Sequence, residues 1–146
     1  MRTNNILYAV TGIIFIMSTT TNASEKVPKG ALVVRYGAAN MDENYENQDG
    51  YPDNLQNVSA LCSRKDSGAN QGLVNDLIGS DKTRKSIWKK AGATKASTLI
   101  NKNAKIEADP LPKNPNHCLI SNISLANIKG TWVIYVNPPE LSVHGQ

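Results

Sequence analysis

TWVIYV, residues 131–136, is the strongest strand signal in the chain. Its β-branched and aromatic side chains suit a pleated, half-buried surface. Pro138-Pro139 ends the run, because proline has no N–H to give a ladder. Three other runs read the same way: ALVVRY at 31–36, stopped by Gly37, NVSALCS at 57–63 and HCLISNI at 117–123. A shorter strand fits 104–108. Leu73, Val74, Leu77 and Ile78 fall at helical spacing and stop at Gly79. A second helix is expected over 82–92 (KTRKSIWKKAG), with Ser80 or Asp81 as N-cap and Gly92 as its stop. Residues 94–101 fit a helix face and a β-branched strand about equally. Strands and helices are interspersed without strict alternation, which points to α+β. The expected fold is one small disulfide-stapled domain with a mostly antiparallel sheet and two or three short helices.

Between these elements the composition turns to loop. Residues 40–56 (NMDENYENQDGYPDNLQ) are rich in Asn, Asp, Gly and Pro and read as a long surface loop. Residues 109–116 (DPLPKNPN) hold three prolines and read as a rigid extended loop. Residues 127–130 read as a turn. The total of 146 residues is too short for a TIM barrel, a two-domain dehydrogenase or a kinase.

Residues 1–23 read as an export signal: Arg2, an apolar run from Ile6 to Met17, then small polar residues ending at Ala23. The apolar run is shorter than the roughly 20 residues that a bilayer span needs. Cleavage after Ala23 would leave a mature domain at 24–146 with no stable membrane insertion, secreted or periplasmic. It would also remove Phe15, the only Phe. The mature core is then assembled from aliphatic residues, Trp88, Trp132 and four tyrosines. That is lean for a domain whose stability is marginal in any case.

Cys62 and Cys118 are the only cysteines, and in an exported chain they have one intramolecular pairing. The bridge would close a loop of roughly 57 residues, worth about 4 kcal/mol in the chain-entropy account. Two cysteines and two histidines at these positions do not make a structural metal set, and no metal or other cofactor is expected. Asp42, Asn44, Glu46 and Asp53 match part of a calcium loop. However, Asn47 stands where the sharp turn needs Gly, and no helices are evident on either side.

Charge is polarised along the chain. Residues 42–53 carry five acids and no base, while residues 82–105 carry eight bases and no acid. Lys82, Arg84, Lys85, Lys89 and Lys90 form the densest basic group and are the candidate binding residues for an anionic partner. Two solvated faces would explain the same pattern. A formal net charge of +4 is too small to imply nucleic acid, and Trp88 fits a core anchor better than a base-stacking platform.

His117 is the sharpest catalytic candidate. It enters a strand from a proline-stiffened loop, and an imidazole can move protons near neutrality. Arg35, conspicuous inside ALVVRY, is its expected partner for a phosphate or carboxylate. Nucleophile-elbow, HExxH, P-loop and paired zinc motifs are absent. The leading expectation is therefore an exported small interaction protein that binds a protein or an anionic surface partner, of inhibitor, immunity or toxin-subunit type. The alternative is a small secreted toxin-like enzyme, a transferase or nuclease, using His117 and Arg35.

Overall fold

The structure is a computed structural model and describes residues 13–14, 25–83 and 88–137. The strands are β1 (Ala31–Tyr36), β2 (Val58–Asp66), β3 (Lys90–Lys95), β4 (Lys105–Ala108), β5 (His117–Ser121) and β6 (Val133–Val136). The helices are α1 (Gln71–Gly79), α2 (Ala96–Ile100) and α3 (Leu125–Lys129), with a 3-10 turn at Asp42–Asn44. The six strands form one sheet in the order β4-β5-β2-β1-β3-β6, and every neighbouring pair is antiparallel. The fold is α+β, as its sequence pattern predicts. The expected signal at 1–23 lies outside the described residues except for Ile13 and Ile14. Among the described residues no helix is long and apolar enough to cross a membrane.

ALVVRY is apolar without alternation because β1 is central and buried on both faces. Val33 points into one layer with Val58, Cys62, Leu99, Cys118 and Ile120. Leu32 and Val34 point into the other, with Leu61 and the α1 side chains Val74, Leu77 and Ile78. Those three helix residues contribute about 1.5–3 kcal/mol each by burial. Asn70 caps α1, its side chain accepting from Leu73 N at 3.0 Å. The edge of β4 is covered by the segment before β1: Lys26 bridges Glu107, and Ala108 N donates to Glu25 O.

Several segments differ from their sequence pattern. The end of the expected 82–92 helix is instead the start of β3, while residues 84–87 lie outside the described residues. Gly92, which reads as a helix stop, is a point of close approach inside a strand. A Cβ there would lie 2.6 Å from that of Ala39 and 3.0 Å from that of Trp132. Residues 94–101 divide between the two readings, strand to Lys95 and helix from Ala96. The turn expected at 127–130 is part of α3, capped by Ser124 Oγ accepting from Asn127 N. The loop at 40–56 is not wholly superficial, because Tyr45 and Leu55 are fully buried. Trp88 packs half-buried beside the α1 layer.

Tyr45 anchors that loop beneath the sheet. Its hydroxyl donates to Ala39 O at 2.6 Å and accepts from Trp132 Nε1 at 2.8 Å. The Arg35 guanidinium lies over its ring, 4.7 Å from the centroid. Arg35 is itself buried, donating to the carbonyls of Ser59 (2.7 Å) and Asn44 (2.5 Å). Burial lowers the Arg35 pKa, and the neighbouring Tyr45 opposes that shift.

Cys62 and Cys118 are bonded, with Cα atoms 5.9 Å apart, inside the range the geometry allows. The bridge joins β2 to β5 within the first layer. Reduction is expected to lower the unfolding free energy by roughly 4 kcal/mol, seen in melts with and without reductant; identical curves would contradict it. Alkali should also destabilise the fold. Burial raises the Tyr45 pKa to about 12, against opposing effects of Arg35 and the Trp132 hydrogen bond. In the unfolded chain the phenol ionises near pH 10. The stabilisation is therefore complete below about pH 10 and is lost as pH rises towards about 12. Its size is of the order of 2 kcal/mol. Denaturant titrations across that window should show the fall, and Tyr45→Phe should flatten it relative to the parent protein.

Candidate active site

β4, β5 and β2 lie side by side, and their ends bring three polar side chains into a row. Leu61 is paired with His117 and Ser59 with Leu119. Alternation puts Ser59 and His117 on the α1 side of the sheet, diagonal to one another across the β2–β5 ladder. Asp109 follows the last residue of β4, and its N–H donates to His117 O at 3.0 Å. The disulfide lies on the opposite face, since Cys62 and Cys118 belong to the other layer.

The His117 ring is held at both nitrogens. Nδ1 lies 3.0 Å from Asp109 Oδ2 and 2.9 Å from the Asp109 carbonyl oxygen. Both are acceptors, which places a proton on Nδ1 and leaves Nε2 to face Ser59. Ser59 Oγ is 2.7 Å from Nε2 and donates to it. An acidic residue, an imidazole and a hydroxyl thus lie in the order that activates a serine nucleophile, the carboxylate in ionic contact with Nδ1 and the main-chain oxygen of the same residue as its hydrogen-bond acceptor. The His117 side chain is 13% exposed, while Ser59 is open to solvent.

Beside this row is a cleft of about 220 Å³, lined by Tyr36, Leu61, Asp81, Thr83, Leu111 and Asn114 together with Ser59 and His117. Tyr36 Oη donates to Asp81 Oδ2, and Thr83 N and Oγ1 donate to Asp81 Oδ1. Arg64 braces the far side of the proline-rich loop, its Nη2 donating to Pro115 O (2.8 Å) and His117 O (2.9 Å). Burial lowers the Arg64 pKa, opposed by Glu25.

Arg35 and His117 do not line one cleft. Arg35 shares the face of Val33 and Tyr45, whereas His117 faces the α1 side. Both touch Ser59, Arg35 at its carbonyl and His117 at its hydroxyl, so Arg35 fixes the serine backbone from behind the sheet. The basic group is not drawn into this site either. Lys82 Nζ donates to Gly79 O at the end of α1, Lys89 and Lys90 are exposed, and Arg84 and Lys85 lie outside the described residues. In the acidic loop Asp42 pairs with Lys129. Among the described residues no group of three or more His, Cys, Asp or Glu could hold a metal ion.

Ser59 and Asp109 are the residues that reading by motif passes over. Their signal was present indirectly. Once Cys62 is joined to Cys118, alternation along the two strands sets Ser59 and His117 together on the face opposite the disulfide. Comparison with known protein families, curated proteins and solved structures gives no match to this chain.

Proposed function

We propose that the chain is an exported hydrolase of small acyl esters, with Ser59 as nucleophile. The observation that supports this is the Asp109–His117–Ser59 row facing an open cleft, in which His117 Nε2 hydrogen-bonds Ser59 Oγ, Nδ1 hydrogen-bonds the Asp109 carbonyl oxygen and the Asp109 carboxylate lies 3.0 Å from Nδ1 as an ionic contact. Ser59 Oγ attacks the acyl carbon while its proton passes to His117 Nε2. Asp109 stabilises the imidazolium through Nδ1–H and fixes the ring's orientation. The tetrahedral intermediate collapses, and Nε2 returns the proton to the departing alkoxide, leaving an acyl-Ser59 ester. Water, deprotonated by the same nitrogen, then attacks that ester, releases the carboxylic acid and restores Ser59. The cleft's volume and its Leu61, Leu111 and Tyr36 walls favour a short acyl group.

An interaction role is the second reading, and the sheet edge favours it. Among the described residues β6 pairs only with β3, and Val133 and Val136 are 62% and 54% exposed. Lys89 and Lys90 stand beside it, so an acidic extended segment could add to that edge.

A fluorophosphonate probe and p-nitrophenyl acetate separate the two. The oxidised protein should be labelled at Ser59 and should hydrolyse the ester, and Ser59→Ala should abolish both. His117→Ala should lower the hydrolytic rate by 10³-fold or more, and Asp109→Asn by 10²-fold or more. Folded protein that neither labels nor turns over would overturn the hydrolase. A partner then captured in a manner lost with Lys89→Glu and Lys90→Glu would favour the edge.

A further inference from the structure

An acyl-transfer site needs a group to receive the charge that develops on the substrate's carbonyl oxygen. Ser59 lies within a regular strand, so no sharp turn gathers backbone N–H groups around it. The donor has to come from the cleft wall. Tyr36 Oη and Thr83 Oγ1 already donate to Asp81.

Asn114 is different. It is 4% exposed, lines the cleft with Ser59 and His117, and its side chain makes no hydrogen bond among the described residues. Its Oδ1 is sealed within the protein without a partner, Nδ2 is not sealed in this way, and the residue lines the cleft. The nearby asparagines are satisfied: Asn116 Nδ2 donates to Ser80 Oγ and Asn44 Nδ2 to Tyr36 O. An unbonded, buried amide costs stability, and such a group calls for an explanation.

Its backbone is also fixed. Leu111 N donates to Asn114 O and Asn114 N to Leu111 O, both at 3.0 Å, while His117 N reaches the same Asn114 carbonyl at 3.2 Å. Pro112 and Pro115 flank the residue. The loop therefore carries a stiffly mounted amide donor into the cleft that holds the nucleophile and its base.

We propose that the Asn114 side-chain amide is the oxyanion donor of this site, an assignment that rests on the hydrolase reading above. As Ser59 Oγ bonds to the acyl carbon, the carbonyl π pair moves onto oxygen, and Nδ2–H donates to the resulting oxyanion. When the intermediate collapses, that pair re-forms the carbonyl and the hydrogen bond weakens. The amide is worth more in the transition state than in the bound ester, so its loss falls on kcat.

The test is p-nitrophenyl acetate hydrolysis and the rate of fluorophosphonate labelling, measured on Asn114→Ala and the near-isosteric Asn114→Asp beside Ser59→Ala. Both Asn114 variants should lose 10²–10³-fold in kcat with KM within about threefold, and the labelling rate should fall in parallel. The oxidised state of Cys62–Cys118 should be retained, and Asn114→Ala should melt at or above the parent temperature, because it removes an unbonded buried amide. Wild-type kcat in folded Asn114 variants, with Ser59→Ala inactive, would overturn the assignment and leave the hydrolase standing. Undiminished activity in Ser59→Ala would overturn both. Failure of both Asn114 variants to fold would assign the side chain to the loop and likewise overturn the oxyanion role.

Discussion

With Cys62 bonded diagonally to Cys118, β2 and β5 keep these side chains on one shared face, and in the observed register Leu61 meets His117. A slip by one residue would turn every side chain of one strand to the other face. Ser59 would then enter the apolar layer that now holds Val58 and Ala60, and Cys62 would leave it. The covalent bond and the candidate site thus occupy opposite faces of the same two strands. Fixing one face fixes the other.

Arg35 adds a second constraint at the same place. Its guanidinium is an expensive group to bury, and it is held by two carbonyls and an aromatic face. One of those carbonyls belongs to Ser59, at the level where β1 ends and can no longer supply a ladder partner. The arginine completes a hydrogen bond that the sheet leaves open and ties the polar 40–56 loop to it through Tyr45.

Much of the sheet is legible in the sequence because it rests on local signals. ALVVRY, NVSALCS and HCLISNI declare themselves by β-branched and apolar content, and α1 by its spacing and its Gly79 stop. β3 does not. KAGATK has small side chains chosen for close approach, and those carry helix and strand preferences that nearly cancel. Tyr45 is hidden for a different reason: its polar neighbours mark a loop, and only the tertiary placement of Arg35 and Trp132 buries it. At the site, His117 stands out alone from its loop and strand context. Ser59 reads as one strand residue among several, and Asp109 as the first residue of a proline loop. Their juxtaposition is set by pairing across separations of 58 and 8 residues, which no local motif encodes.

The covering of β4 bears on which end of the sheet another chain could join. Val27 is buried in the first layer and Lys26 bridges Glu107, while Glu25 O accepts from Ala108, the residue before Asp109. A bare β4 edge would present unpaired N–H and C=O groups to any extended chain. Residues 25–27 occupy that edge themselves, so the side of the sheet that leads to Asp109 is blunted against strand addition, and among the described residues the sheet's open end is β6, on the far side from the cleft's Asp109.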